Sequence, residues 1–126
     1  MESPVKIVRI SQAGEEQLTK LKRATKITQW NTLCRWALCR SLAEPTVPSL
    51  VAIKTDSKIE IAWDTFGGEI ADILLIALKQ RCYQDGLSLD SETIKKQLAL
   101  HLHRGLSYLV SGDDLDSIED LVKLIQ

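Results

Sequence analysis

The chain has 126 residues, of which 44% are hydrophobic and 26% charged, with a mean hydropathy of −0.05 and a net charge of −1. These values predict one globular domain over residues 1–126 and exclude a tandem enzyme, a fibrous protein and a disordered chain. Asp72 interrupts the longest apolar run, and the amino end lacks the apolar core of a signal peptide. We therefore expect a cytoplasmic protein, without a membrane helix, whose three cysteines are reduced.

The charge is unevenly distributed along the chain. Residues 1–43 contain eight basic and three acidic residues, a net charge of +5. Residues 44–111 have a net charge of −2 and residues 112–126 one of −4. A basic amino-terminal third is typical of a surface that faces a polyanion. An acidic tail is typical of a segment that faces a partner or water. A merely solvated basic face is the alternative.

The first third of the sequence predicts a strand followed by two helices. Residues 5–10 are rich in β-branched side chains, and residues 11–24 combine acidic residues in the first turn with leucines three apart. Thr28 can cap a second helix that ends near Ala43, because Pro45 follows. The predicted order of elements at this end of the chain is strand, helix, helix.

The rest of the sequence completes a mainly α fold. Residues 45–58 predict a loop, with a small β-hairpin formed by candidate strands at 50–54 and 58–63. Long helices are predicted at 69–83 and 91–110, and a short last helix at 114–125. Because apolar residues cover most of the circumference of the 69–83 helix, we expect that helix to form the core.

Two apolar faces are predicted on the 28–43 helix. One stripe contains Trp30, Cys34 and Leu38, while Trp36 projects from nearly the opposite side beside Leu33. A second apolar face indicates either another intramolecular contact or a subunit interface. We expect Trp36 and Leu33 to form an interface between subunits.

Three stretches of the sequence carry a family resemblance. They are LKRATKITQWNTLCRWALCRSLAEP at 21–45, FGGE at 66–69 and HRGLSYL at 103–109. Together they resemble the DndE family, the small component of the bacterial DNA sulfur-modification (phosphorothioation) system. The resemblance implies a helical protein whose strand-helix-helix start is like a ribbon-helix-helix element. It implies a homotetramer that binds nicked double-stranded DNA and works alongside a cysteine desulfurase and the other modification proteins. It also implies glycine after Thr25, where this chain has Lys26, so a left-handed turn there would strain the lysine.

Basic residues of the two amino-terminal helices are the predicted DNA contacts. Their side chains can bind phosphates, which gives salt-dependent affinity with little sequence information. Cations near a helix carboxyl end also favour the helix dipole, so part of this cluster can be structural. The first strand has no row of polar side chains, which disfavours a sequence-specific repressor. The predicted DNA-binding residues are Lys20, Lys22, Arg23, Lys26, Arg35, Arg40 and Arg104.

Arg104 belongs to a polar row on the 91–110 helix together with Gln97, His101 and Tyr108. The row can bind a phosphate, or it can form hydrogen bonds to another subunit or within a helical hairpin. Gly105, within the apolar arc of the same helix, indicates close helix packing.

The sequence predicts no catalytic residues, no cofactor and no metal site. Its cysteines and histidines are too few and too irregularly spaced for a closed zinc site. The alternative to a DNA-binding subunit is a sulfur carrier or nick-processing enzyme of the same pathway, with Cys39 as the thiol that carries sulfur. A further alternative is an interaction subunit without a DNA role.

Overall fold

A computed structural model describes residues 3–111, and within this range the chain forms five α-helices and two short strands. The mainly helical class and the strand-helix-helix start are confirmed, whereas the helix predicted at 114–125 lies outside the described residues. The elements are β1 (Ile7–Arg9), α1 (Gln12–Thr25), α2 (Trp30–Ala43), β2 (Glu60–Ala62), α3 (Trp63–Gly67), a 3₁₀ turn (Gly68–Ile70), α4 (Ala71–Gln84) and α5 (Ser91–Val110).

The two strands pair with each other in antiparallel register. Val8 lies opposite Ile61, and both side chains are buried, so each strand covers the core with one face. The predicted hairpin within the middle segment is wrong, because the second strand pairs with β1 instead of with residues 50–54. Leu50 is 76% exposed, so that segment offers no buried apolar face to a neighbouring strand.

The centre of the molecule is α5, in which ten of twenty residues are buried. It packs along α2, and the backbone of α2 lies against Gly105. A Cβ atom at Gly105 would lie 1.7 Å from the carbonyl oxygen of Ala37, so only glycine fits. The predicted close packing at Gly105 is confirmed.

The outer face of α4 is apolar but exposed. Ile73 is 64% and Ile76 54% exposed, whereas Leu74 and Leu78 on the opposite face are buried. The prediction that this helix forms the core is confirmed for one face only, which contributes Leu74, Leu75, Leu78 and Cys82. Apolar residues surround the helix, but only one of its sides meets other elements of the described chain.

The second apolar face of α2 is explained by contacts within the chain. Leu33 is fully buried among residues of its own subunit, and Trp36 is half-buried against the same core. The predicted subunit interface at Leu33 is therefore wrong. The two-sided pattern arises because α2 lies between α5 and the pair formed by α3 and α4.

Within residues 3–111, no helix is both long enough and apolar enough to cross a membrane.

Candidate nucleic-acid interface

The helix α1 buries one face and presents cations on the other. Its amino end is capped by Ser11, whose hydroxyl oxygen accepts a hydrogen bond from the Gly14 amide at 2.9 Å. Leu18 and Leu21 are fully buried. Lys20 and Arg23 therefore lie on the exposed face, near the end of the helix where cations favour the dipole.

The turn after α1 projects a further cation beyond the helix. Lys26 has a φ of 63°, and its amide donates a hydrogen bond to the Lys22 carbonyl at 2.9 Å. The turn therefore does require a left-handed residue, and Lys26 occupies that position. The buried Thr25 hydroxyl fixes this turn, since it donates to the Leu21 carbonyl at 2.7 Å and accepts from the Ile27 amide at 3.2 Å. The strain is held in place by the hydrogen bonds around it.

Lys22 lies at the side of this surface, over the ring of Trp30, with its Nζ 4.3 Å from the ring centroid. We call Lys20, Lys22, Arg23 and Lys26 the basic end of α1. Among residues 3–111, Lys20, Arg23 and Lys26 form no ion pair within 4.0 Å. Their charges are therefore directed to water in the described part of the chain.

The other predicted DNA contacts lie elsewhere. Arg35 points toward α3, where its guanidinium donates to the Phe66 carbonyl at 3.1 Å. Arg40 lies over the Tyr108 ring, 4.6 Å from the centroid, on the opposite flank of α2. These two arginines therefore do not converge on one surface.

Arg104 joins α5 to the carboxyl end of α2. Its Nε donates to the Ser41 hydroxyl at 2.8 Å, and its two terminal nitrogens donate to the carbonyls of Ser41 and Thr46, each at 2.8 Å. The polar row on α5 thus forms an intramolecular contact. A DNA contact through Arg104 would require these hydrogen bonds to break.

Arg81, which no sequence pattern indicated, binds the same segment from α4. It is 7% exposed and pairs with Asp85, at 3.0 Å between Nε and Oδ2. Its terminal nitrogens donate to four backbone carbonyls, those of Leu42, Glu44, Pro45 and Thr46. We call Arg81 and Arg104 the arginine clamp. The clamp satisfies carbonyls that the end of α2 leaves without helical partners.

Ser41 and His101 form a pair that resembles a nucleophile and its base. The Ser41 hydroxyl, which accepts from Arg104, shares a hydrogen bond with Nδ1 of His101 at 2.8 Å. Both residues are fully buried, so no substrate reaches the hydroxyl. Burial, together with the charges of Arg104 and Arg81, lowers the pKa of His101 to about 4. The pair is a neutral hydrogen bond inside the core.

The cysteines are poorly suited to carry sulfur. Burial raises the pKa of Cys34 to about 12 and also raises the pKa of Cys82. Cys39 is exposed at the surface, but the partial burial of its sulfur still raises its pKa, against the weaker effect of Arg35. Because the thiolate is the nucleophile, these surroundings disfavour a sulfur relay. Within residues 3–111, no group of three histidine, cysteine or acidic side chains could hold a metal ion.

The fold and the basic end of α1 place the chain among small helical proteins that begin with a strand and two helices and carry cations at one exposed helix end. The family model of the DNA sulphur modification protein DndE matches residues 7–117, and the chain therefore belongs to the DndE family. No curated protein sequence matches the chain.

The solved structures that are similar to the described fold include two of DndE. One is the crystal structure of DndE from Escherichia coli B7A, involved in DNA phosphorothioation modification, with 28% sequence identity and a TM-score of 0.70. The similarity covers 86% of this chain and 99% of that chain. The other is a glycine-to-lysine mutant of DndE involved in DNA phosphorothioation, with 27% identity, a TM-score of 0.64, and coverage of 82% and 95%.

Proposed function

We propose that this protein is a non-enzymatic subunit of the DNA phosphorothioation machinery that binds the backbone of double-stranded, nicked DNA. The observation that carries the proposal is the basic end of α1. Three exposed cations there have no ion pair among the described residues, and a fourth stacks on Trp30. Membership of the DndE family supports a role in DNA sulfur modification.

The exposed cations suit a ligand that the protein contacts through its phosphate groups. Lysine and arginine contacts to phosphate position a protein on DNA without reading its sequence, which is appropriate for a protein that binds at a nick. The strand β1 pairs with β2 of its own chain and buries Val8, so this face of the strand is not available to read bases. Both observations support a backbone binder.

Assembly into a homotetramer is part of the proposal. The outer face of α4 is the proposed contact between copies, because Ile73, Ile76 and Tyr83 are all more than half exposed there. Assembly would present several basic ends to one duplex and raise the effective concentration of phosphate-binding groups. The proposed protein partners are the cysteine desulfurase and the other modification proteins.

The test is the salt dependence of binding to a nicked duplex. Replacing Lys20, Lys22 and Arg23 together by Ala should lower the slope of log affinity against log salt by up to about 2.7, since each phosphate contact contributes about 0.9. The matched control replaces Lys54, Lys58 and Lys96, three exposed lysines outside the basic end of α1, and should leave the slope unchanged.

Equal slopes for the wild type and the α1 variant would refute the proposed interface. Circular dichroism on both variants shows whether the fold is retained. An intact duplex measured in parallel shows whether the nick contributes to affinity.

A further inference from the structure

The backbone of β1 is hydrogen-bonded on one side only. The Lys6 carbonyl accepts from the Trp63 amide at 2.9 Å, and the Ile10 amide donates to the Ile59 carbonyl at 3.3 Å. In an antiparallel ladder alternate residues share such bonds, so Ile7 and Arg9 direct their amides and carbonyls away from β2. Within residues 3–111 the sheet has two strands, and this outer edge of β1 has no strand partner.

The outer edge borders a groove of about 330 Å³. One wall is β1 itself, and the other is formed by the amino-terminal half of α5, including Leu98 and Ala99. Val5, Val8 and Leu98 give the groove an apolar floor. A groove that lies beside a strand edge and has an apolar lining suits an extended chain that places every second side chain inward.

The rim of the groove is basic. Lys6, Arg9 and Lys95 line it. Arg9 pairs with Glu60 at 3.4 Å and Lys95 with Glu92 at 3.8 Å, but in both pairs each side chain is about half or more exposed. Such surface pairs contribute little and exchange readily for a carboxylate brought by a ligand.

We propose that the outer edge of β1 binds an extended segment of a partner protein in which apolar and acidic residues alternate. The segment adds a third strand through the amides and carbonyls of Ile7 and Arg9, while its carboxylates meet Arg9 and Lys95. DNA has no alternating amides and carbonyls to complete such a ladder. Another copy of β1, with the sequence Ile-Val-Arg, has no acidic residue and would bring no carboxylate to Arg9 and Lys95.

The probe is an acetylated and amidated peptide of sequence VEVDVEV, added to the full chain and followed by amide hydrogen exchange. Saturating peptide should slow exchange of the Ile7 and Arg9 amides by about tenfold or more, because both gain an acceptor. The Val8 amide, already directed toward β2, should change little. A peptide with lysine at each acidic position serves as the control and should leave all three amides unchanged.

Two variants separate the strand contact from the charge contact. Ile7→Pro removes a donor from the outer edge and leaves the ladder to β2, so peptide protection should be lost while the fold remains. Lys95→Glu should weaken the acidic peptide about tenfold and favour the lysine peptide. Unchanged exchange at saturating peptide would overturn the proposal. Protection of Ile7 and Arg9 that depends on protein concentration alone would also overturn it, because a second copy would then be the occupant.

Discussion

The arginine clamp and the basic end of α1 hold cations at the carboxyl ends of two helices, in opposite surroundings. Beyond α2 the chain curls back, so that its carbonyls surround Arg81, which is 7% exposed. Beyond α1 the left-handed Lys26 caps the helix with its own amide and leaves the side chains in water. A cation becomes structural where the backbone supplies acceptors, and it remains available to a ligand where the helix caps itself.

The clamp should be the more costly of the two regions to break. Replacing Arg81 by Met leaves Asp85 and several carbonyls buried without their donor, and should lower the free energy of unfolding by about 3–5 kcal/mol. Chemical denaturation of the wild type and the variant measures this difference in the free energy of unfolding. Lys79→Met on the same helix is the matched control, and a loss of similar size there would show that the clamp has no special role.

Acid should weaken the clamp region through His101. Its pKa is about 4 in the folded protein, below the ordinary 6.5, so the unfolded chain takes up the proton first. The resulting stability is fully present above pH 6.5 and is lost as the pH falls toward 4, by about 3 kcal/mol. The protonated ring would also be buried with no partner for Nε2 among residues 3–111.

Denaturation at a series of pH values tests this, with His101→Gln as the control. The variant should show a shallower loss of stability between pH 6.5 and 4. A remaining slope in the variant is expected from His103, whose pKa burial also lowers. An identical pH profile would mean that His101 does not titrate as its surroundings require.

Replacing Lys26 in the basic end of α1 by glycine should raise the stability of the protein, whereas replacing Arg81 in the clamp should lower it. Lys26→Gly removes the left-handed strain and should stabilise the protein by about 1 kcal/mol, while one lost phosphate contact lowers the salt slope of DNA binding by about 0.9. Lys26→Ala is the control, since it removes the cation but keeps the strain. Equal stability of the two variants would contradict a strained turn.

Local signals predicted most of the helices. Pro45 ends the second helix close to where it was expected, and the helix at 91–110 has the predicted bounds. The four cations of the basic end lie within seven residues, so their common location also followed from the sequence. The sequence also allowed the divergence of Arg35 and Arg40 to be predicted. Residues five apart on a helix project in directions that differ by about 140°.

Contacts between distant segments could not be predicted. The partner of β2 depends on which segment offers a buried apolar face, and Val8 offers one where Leu50 does not. The apolar residues of α4 surround the helix, so the sequence alone does not show which side meets the core. Arg81 lies in the apolar stripe of that helix, four residues before Asp85, but its carbonyl acceptors come from a segment nearly forty residues away.

The contrast between the two regions is tested most directly by nuclear magnetic resonance during titration with a nicked duplex. The signals to follow are the Nε–H groups of the arginine side chains and the backbone amides of α1. Signals of Arg23, Lys20 and Lys26 should shift and saturate with the DNA, while the Nε–H signals of Arg81 and Arg104 stay in place. Shifts of Arg104 without any change in α1 would contradict the assignment of DNA binding to the basic end and of structure to the clamp.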